Sequence, residues 1–325
     1  LGVSIFWLMY IGEYILAKYS QSLYTQRLLS LPILQSIEDL SVKTRLPSPL
    51  LSQYLNDNSR YYCHISVPKK NGGYRPIDSP NRQLKAIQRW ILRHILEKLQ
   101  PSVYATGFVP GIALKRNAIP HTGNQYILKL DLKDFFPSIK ASYVYSVFRA
   151  AGYSKQIAYS LTSICTLNGY LPQGAPTSPC LSNLVCLRLD QRIGKYCDRH
   201  ALTFTRYADD ISISGNKLSI VKKAWVVIKL ILSEEGYVIN KNKEMLSGPR
   251  SKREITGLVV TPKLGIGQRK YNMYRNKIFH LCHKNDNESI LIIQGILAYI
   301  KGVDQDRYSK LKKYYDALKT KEVTE

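Results

Sequence analysis

Residues 206–214 read RYADDISIS. Two adjacent aspartates, Asp209 and Asp210, stand between runs of β-forming residues. That is the pattern of a hairpin over 202–214 with acids at its tip. Like charges side by side repel, so the placement needs a reason. Upstream, YILKLDL (126–132) alternates: Tyr126, Leu128, Leu130 and Leu132 share one face, and Ile127, Lys129 and Asp131 the other. It reads as a strand laid over a core and ending in an acid. If the hairpin pairs beside it, Asp131, Asp209 and Asp210 converge, and cations must neutralise them. An all-oxygen ligand set suits Mg²⁺. Two such ions, roughly 3.5–4 Å apart, clamp the attacking and leaving oxygens of an in-line phosphoryl transfer. Taken alone, two aspartates in a turn are ordinary, because Asp favours turns.

The rest of the chain supplies context. Its 325 residues carry 47 Lys+Arg against 23 Asp+Glu, a formal net charge of +24. Such a surface implies a polyanionic partner, nucleic acid first. A 45% hydrophobic content suits a globular protein with a sizeable core. Cys63, Cys165, Cys180, Cys186, Cys197 and Cys282 show neither CxxC nor zinc-site spacing. They read as reduced thiols of a cytoplasmic protein. LGVSIFWLMYIGEYILA (1–17) is apolar apart from Glu13, but has no basic start and no cleavage site. It is marginal in length for a membrane span, and Glu13 would be costly there. Residues 1–30 are read as an N-terminal extension, a helix packed on the body, with no membrane expected. The first residue, Leu1 rather than Met, points to an unusual start codon or an upstream-extended reading frame.

Between these landmarks the pattern is mixed. Residues 31–60 read as short helices broken by prolines, and SVPKKNGGYRPID (66–78) as a basic hairpin with a Gly-Gly turn. Helical spacing runs over 83–99, through about 165, from about 181 to 197, and over 219–236. Strand signals follow at 237–240 and 254–261, then helices to the end. Helices packed on one face of a small antiparallel sheet make an α+β protein. No Ser-His-Asp arrangement or phosphate-binding glycine loop competes for the active site.

Three stretches together carry a resemblance. LKLDLKDFFPSI (128–139), LPQGAPTSPCLSNLVCLRLD (171–190) and RYADDISIS resemble, in order and spacing, the palm motifs of reverse transcriptases. GYVINKNKE (236–244) resembles the motif that follows, with Gly236, Asn240 and Lys243 matching and Glu244 in place of the usual Thr. NAIPH (117–121) and EITGLVV (254–260) narrow the resemblance to bacterial retron enzymes, with Ile255 where those carry Val. It covers about residues 30–320.

The resemblance implies a right-hand polymerase. Residues 31–125 would be mainly fingers, 126–262 palm with a fingers insertion at about 140–170, and 263–325 a helical thumb. It implies that Asp131, Asp209 and Asp210 hold two Mg²⁺ ions, helped by the Leu132 carbonyl. Lys69 or Lys70, with Arg75, would meet the incoming triphosphate, as Arg grips phosphate with a planar fork. Gln173 and Gly174 would line the nucleotide pocket, and Lys243 would sit near the leaving pyrophosphate. Phe136, five residues after Asp131, would exclude a 2′-hydroxyl. Asn117, His121, Thr256 and Gly257 would hold structure or RNA. RKYNMYRNKIFHLCHK (269–284) offers Arg269, Lys270, Tyr271, Tyr274 and Arg275 for RNA, since bases stack on rings while cations meet phosphate.

The function so implied is RNA-directed DNA synthesis from dNTPs. A structured non-coding RNA is copied into branched single-stranded DNA, primed from a guanosine 2′-hydroxyl. Host RNase H trims the template, and an accessory effector protein joins the enzyme in anti-phage defence. Two alternatives remain: a reverse transcriptase of an intron-like or diversity-generating element, and a non-catalytic RNA-binding scaffold. The intact acids argue against the second.

Overall fold

The computed structural model describes residues 23–69, 72–110, 114–284 and 286–322. Most of the expected N-terminal extension, and Lys70, lie outside the described residues. No described helix is long and apolar enough to cross a membrane.

The chain opens with helices α1 (Leu23–Leu28), α2 (Ile37–Thr44) and α3 (Ser48–Asn56). A capping box starts α2: Ser36 accepts from the Asp39 N–H, and Asp39 accepts from the Ser36 N–H. The basic hairpin forms as expected, β1 (Tyr62–Pro68) against β2 (Tyr74–Pro80), with Pro68 opposite Tyr74. Gly72 and Gly73 both take positive φ at its tip. Next comes α4 (Arg82–His94), capped by Asn81, whose side chain accepts from the Leu84 N–H at 2.8 Å. Its buried face is Leu84, Ile87, Gln88 and Ile91.

A four-stranded antiparallel sheet lies at the centre. It consists of β3 (Tyr126–Asp131), β4 (Thr203–Tyr207), β5 (Asp210–Gly215) and β6 (Met245–Ser247), in the order β4-β5-β3-β6. Leu128, Leu130 and Leu132 enter the core as their alternation requires. Helices α5 (Ala141–Ala150), α6 (Lys155–Cys165), α7 (Ser178–Val185), α8 (Leu187–Arg199) and α9 (Leu218–Glu234) surround the same core. A small hairpin, β7 (Glu254–Ile255) and β8 (Leu258–Val259), precedes three C-terminal helices: α10 (Gln268–Cys282), α11 (Asn287–Val303) and α12 (Gln305–Glu322). These three have their own core, including Ile278, Ile293, Ile300 and Leu311. The fold is α+β with the organisation of a right-hand polymerase.

Three expectations need correction. The single helix over 181–197 is two helices meeting at Cys186. The strand signal at 237–240 yields one bridge, Leu132 to Ile239, and the fourth strand is Met245–Ser247 instead. There the Asn240 N–H donates to the Asp131 carbonyl and the Lys133 N–H to the Val238 carbonyl, both at 2.8 Å; these are the two bonds of that single bridge, and the chain then turns at Lys241–Lys243. The strand over 254–261 folds back on itself, because Thr256 and Gly257 have φ of 45° and 79°. Two consecutive positive φ values make the tight turn that suits hairpin twist. All six cysteines are free; Cys63 is exposed, Cys180 half-buried and the other four buried.

Candidate active site

The sheet places the carboxylates. Asp131 ends β3 directly opposite Asp210, the first residue of β5. On the other side Asp210 pairs with Tyr207, so Ala208 and Asp209 form the turn, with Ala208 at φ 57°. The Leu132 N–H donates to the Asp209 carbonyl at 3.0 Å. Backbone bonds thus fix all three acids at one end of the sheet.

Their electrostatics follow from that crowding. Burial, then the charge of Asp210, holds Asp209 above the usual carboxylate range. Burial raises Asp210 as well, against the pull of Lys129 and with Asp131 adding to the rise. Asp131 is buried and turned aside to a cation: it accepts from Lys243 Nζ at 2.7 Å and Asn240 Nδ2 at 3.3 Å. The bond to Asp131 raises Lys243 in turn. Among the described residues no three His, Cys, Asp or Glu side chains are gathered so as to hold a metal ion. The expected convergence is therefore one of backbone position, and the side chains are not closed into a cage.

Beneath the turn lies an ion pair that sequence reasoning missed. Arg206 is fully buried and grips Asp190 with two bonds, Nε to Oδ1 at 2.6 Å and Nη2 to Oδ2 at 2.7 Å. Burial alone would lower Arg206, but Asp190 holds it charged. Its Nη1 also donates to the Ala208 carbonyl at 3.1 Å and to Asn183 Oδ1 at 3.2 Å. Asn183 Nδ2 donates onward to the Gly107 carbonyl at 2.8 Å. The signal was present in phase: Asp190 lies on the apolar stripe of α8 with Leu187, Ile193 and Cys197. A charge on a buried stripe demands a buried partner.

The residues expected at the nucleotide divide by place. Lys69 and Arg75 are exposed on the β1–β2 hairpin. The Asp78 N–H of that hairpin donates to the Gln173 carbonyl at 2.8 Å. Gly174 has φ of 143°, and a Cβ there would come 2.6 Å from the Asp78 carbonyl oxygen. Hairpin and Gln173–Gly174 loop are therefore closed on each other. Phe136 is half-buried, 5.5 Å from the Phe135 ring and 6.1 Å from that of Phe108.

The residues expected at RNA are more inward than the sequence implied. Asn117 is buried, accepts from Thr106 Oγ1 at 2.7 Å and faces Thr256 Oγ1 at 3.5 Å. His121 is fully buried between Ser214 Oγ (2.7 Å) and Thr205 Oγ1 (2.8 Å). Burial lowers it to about 4, so the ring is neutral. Asn117 and His121 thus brace the sheet and have no surface to offer RNA, which corrects the RNA half of that expectation. The Gly257 carbonyl accepts from Lys270 Nζ. Tyr271 and Tyr274 are half-buried against the C-terminal helical core, Tyr271 under Arg307 and Tyr274 edge-on to Tyr299. Arg269 is exposed, and Arg275, also exposed, lies 4.6 Å over the Tyr314 ring.

Comparison with known proteins agrees with this geometry. The family described as reverse transcriptase (RNA-dependent DNA polymerase) matches residues 67–260. The Retron Ec86 reverse transcriptase of Escherichia coli is 41% identical over 310 residues, covering 94% of this chain and 96% of that one. The Retron Mx65 reverse transcriptase of Myxococcus xanthus is 33% identical over 304 residues, covering 86% and 71%. The Retron Ec73 reverse transcriptase of Escherichia coli is 32% identical over 276 residues, covering 78% and 87%. With its paired acids set on adjacent strands and the first of these relatives matching nearly end to end, the chain belongs to the retron reverse transcriptases, a family of RNA-directed DNA polymerases.

Proposed function

We propose that this polymerase copies part of a structured non-coding RNA into branched single-stranded DNA. The first nucleotide is joined to the 2′-hydroxyl of a guanosine in that RNA. Retron reverse transcriptases work with a template RNA, and similarity over 94% of the chain to one of them supports the reading. In the cytoplasm, host RNase H would trim the template, and an accessory effector protein would tie the product to anti-phage defence. The division into fingers (31–125), palm (126–262) and thumb (263–325) is part of the proposal.

Reverse transcriptases use divalent metal ions. The donor set fits Mg²⁺, being all oxygen, and the raised Asp209 and Asp210 carboxyls favour a cation that relieves their burial. Asp131, Asp209 and Asp210 would hold two ions, with the Leu132 carbonyl beside them. When bound, the ions would neutralise the triphosphate and make the attacking hydroxyl more acidic. Lys243, now paired with Asp131, is long and exposed enough to turn to the departing pyrophosphate. Lys69 and Arg75 would meet the triphosphate, beside Gln173 and Gly174. Phe136 would stand against the 2′ position of the incoming sugar. Arg269, Lys270 and Arg275 would meet RNA phosphates, near the turn of Thr256 and Gly257.

The test uses RNA transcribed from the DNA flanking the gene, purified protein, Mg²⁺ and labelled dNTPs. The expected product is DNA covalently joined to RNA and released by a 2′,5′-debranching enzyme. Synthesis only from added 3′-hydroxyl primers would overturn the priming proposal.

A further inference from the structure

Phe108 has no part in the activity described so far. Its ring is partly open to solvent, and its φ of 60° lies in the left-handed region that few non-glycine residues occupy. Anchors before it hold that conformation. The Thr106 N–H donates to the Arg206 carbonyl at 2.8 Å. The Gly107 carbonyl accepts from Asn183. Gly107 lies so near the catalytic turn that a Cβ would come 2.9 Å from the Ala208 nitrogen. From that base the Phe108 ring reaches Phe136 at 6.1 Å and Tyr207 at 6.3 Å, each inclined by 40°. Phe136 therefore neighbours two rings, buried Phe135 and partly open Phe108.

We infer that Phe108 is a positioning residue for sugar selection. It holds the Phe136 ring in the orientation that excludes a 2′-hydroxyl, and through Tyr207 it ties that ring to the turn bearing Asp209. The inference rests on the proposed role of Phe136. Steric exclusion needs a wall that does not yield, and a half-buried ring with a single supporting neighbour can swing about its side-chain bonds. Phe135 is fixed in the core behind it. Phe108 is the second support, and its own backbone is fixed to the catalytic turn. The residue spends a strained conformation to present its ring there, as functional sites do.

The experiment is single-nucleotide incorporation of dGTP and GTP by the full chain on an RNA template, with a melting curve for each variant. Phe136→Ala is expected to lower the dNTP-over-rNTP ratio of kcat/KM by at least roughly tenfold. Phe108→Ala should lower it by about three- to tenfold, chiefly through a smaller KM for GTP. Phe108→Tyr, which keeps the ring, should restore it. The double alanine variant should match Phe136→Ala, since the support then has nothing to hold. An altered ratio in Phe136→Ala with none in Phe108→Ala overturns the role of Phe108 and leaves that of Phe136 standing. So does a double variant whose effects multiply in full. An unchanged ratio in stable, active Phe136→Ala removes both. Should Phe108→Ala fail to fold, Phe108→Leu takes its place under the same criteria.

Discussion

Arg206 and Asp190 meet with no exposed surface on either side chain, in a two-bond pair directly under the turn that carries Asp209. A buried pair of this kind adds little net stability over apolar packing, but breaking it is costly, because one charge is left stranded. Its structural effect is alignment. One guanidinium joins α8, the Asn183 side chain of α7 and the Ala208 carbonyl.

Asp190→Asn is therefore expected to cost about 3–5 kcal/mol of folding stability. Replacing both partners, Asp190→Leu with Arg206→Met, should recover much of that loss. DNA synthesis should stay low in the double variant, because the Ala208 carbonyl has lost its donor. Urea unfolding alongside primer extension checks both; full activity in the double variant would contradict the alignment role.

Asp209→Asn or Asp210→Asn removes a charge while keeping shape. DNA synthesis should fall by orders of magnitude, with RNA affinity nearly unchanged. Because burial holds both carboxyls above their usual range, each ionised acid opposes folding at neutral pH. In metal-free buffer each variant should melt at or above the wild-type temperature. Normal polymerisation by either one sinks the metal-ligand assignment.

Gly174→Ala places a Cβ against the Asp78 carbonyl in a backbone conformation that L residues avoid. The strain should cost about 1–3 kcal/mol and open the contact between hairpin and loop. KM for the incoming dNTP should rise more than kcat falls, as read from steady-state incorporation.

His121 gives a pH dependence. The folded ring stays neutral down to about 4, whereas the unfolded chain takes up a proton near 6.5. Its contribution is intact above about pH 6.5 and is lost as pH falls toward 4. At pH 5 the penalty is about 2 kcal/mol relative to pH 7.5. His121→Gln, which can still bond Ser214 and Thr205, should flatten the stability difference between those two pH values by that amount. An unchanged profile would mean the ring takes a proton inside the fold.

Local patterns were legible in the sequence, and long-range pairings were not. The alternation of 126–132 set the face of each side chain, and the Gly-Gly pair marked the first hairpin. The Asp-Asp tip fell on a turn whose pairing then followed. The partners of Asn183 and His121 come from elements far along the chain, and that of Asp190 from the next strand; no local period encodes any of them. The same holds for 237–240, where residues with strand propensity make a single bridge to β3's continuation before the chain turns at Lys241–Lys243. Tyr271 and Tyr274 make a related point: spacing gives composition along a helix, but not which rings the neighbouring helices partly cover.

The central sheet has one further property. Its first strand, β4, does not end in open ladder: Tyr104 and Thr106 bond the backbone of Arg206 from outside, with Ala105 bridged in parallel. On the other flank, β6 is only three residues long. An exposed edge strand is a template for adding a strand from another chain, and proteins blunt such edges by covering or shortening them. Both remedies are present here. Among the described residues the sheet thus leaves little free ladder on either flank for another chain to extend.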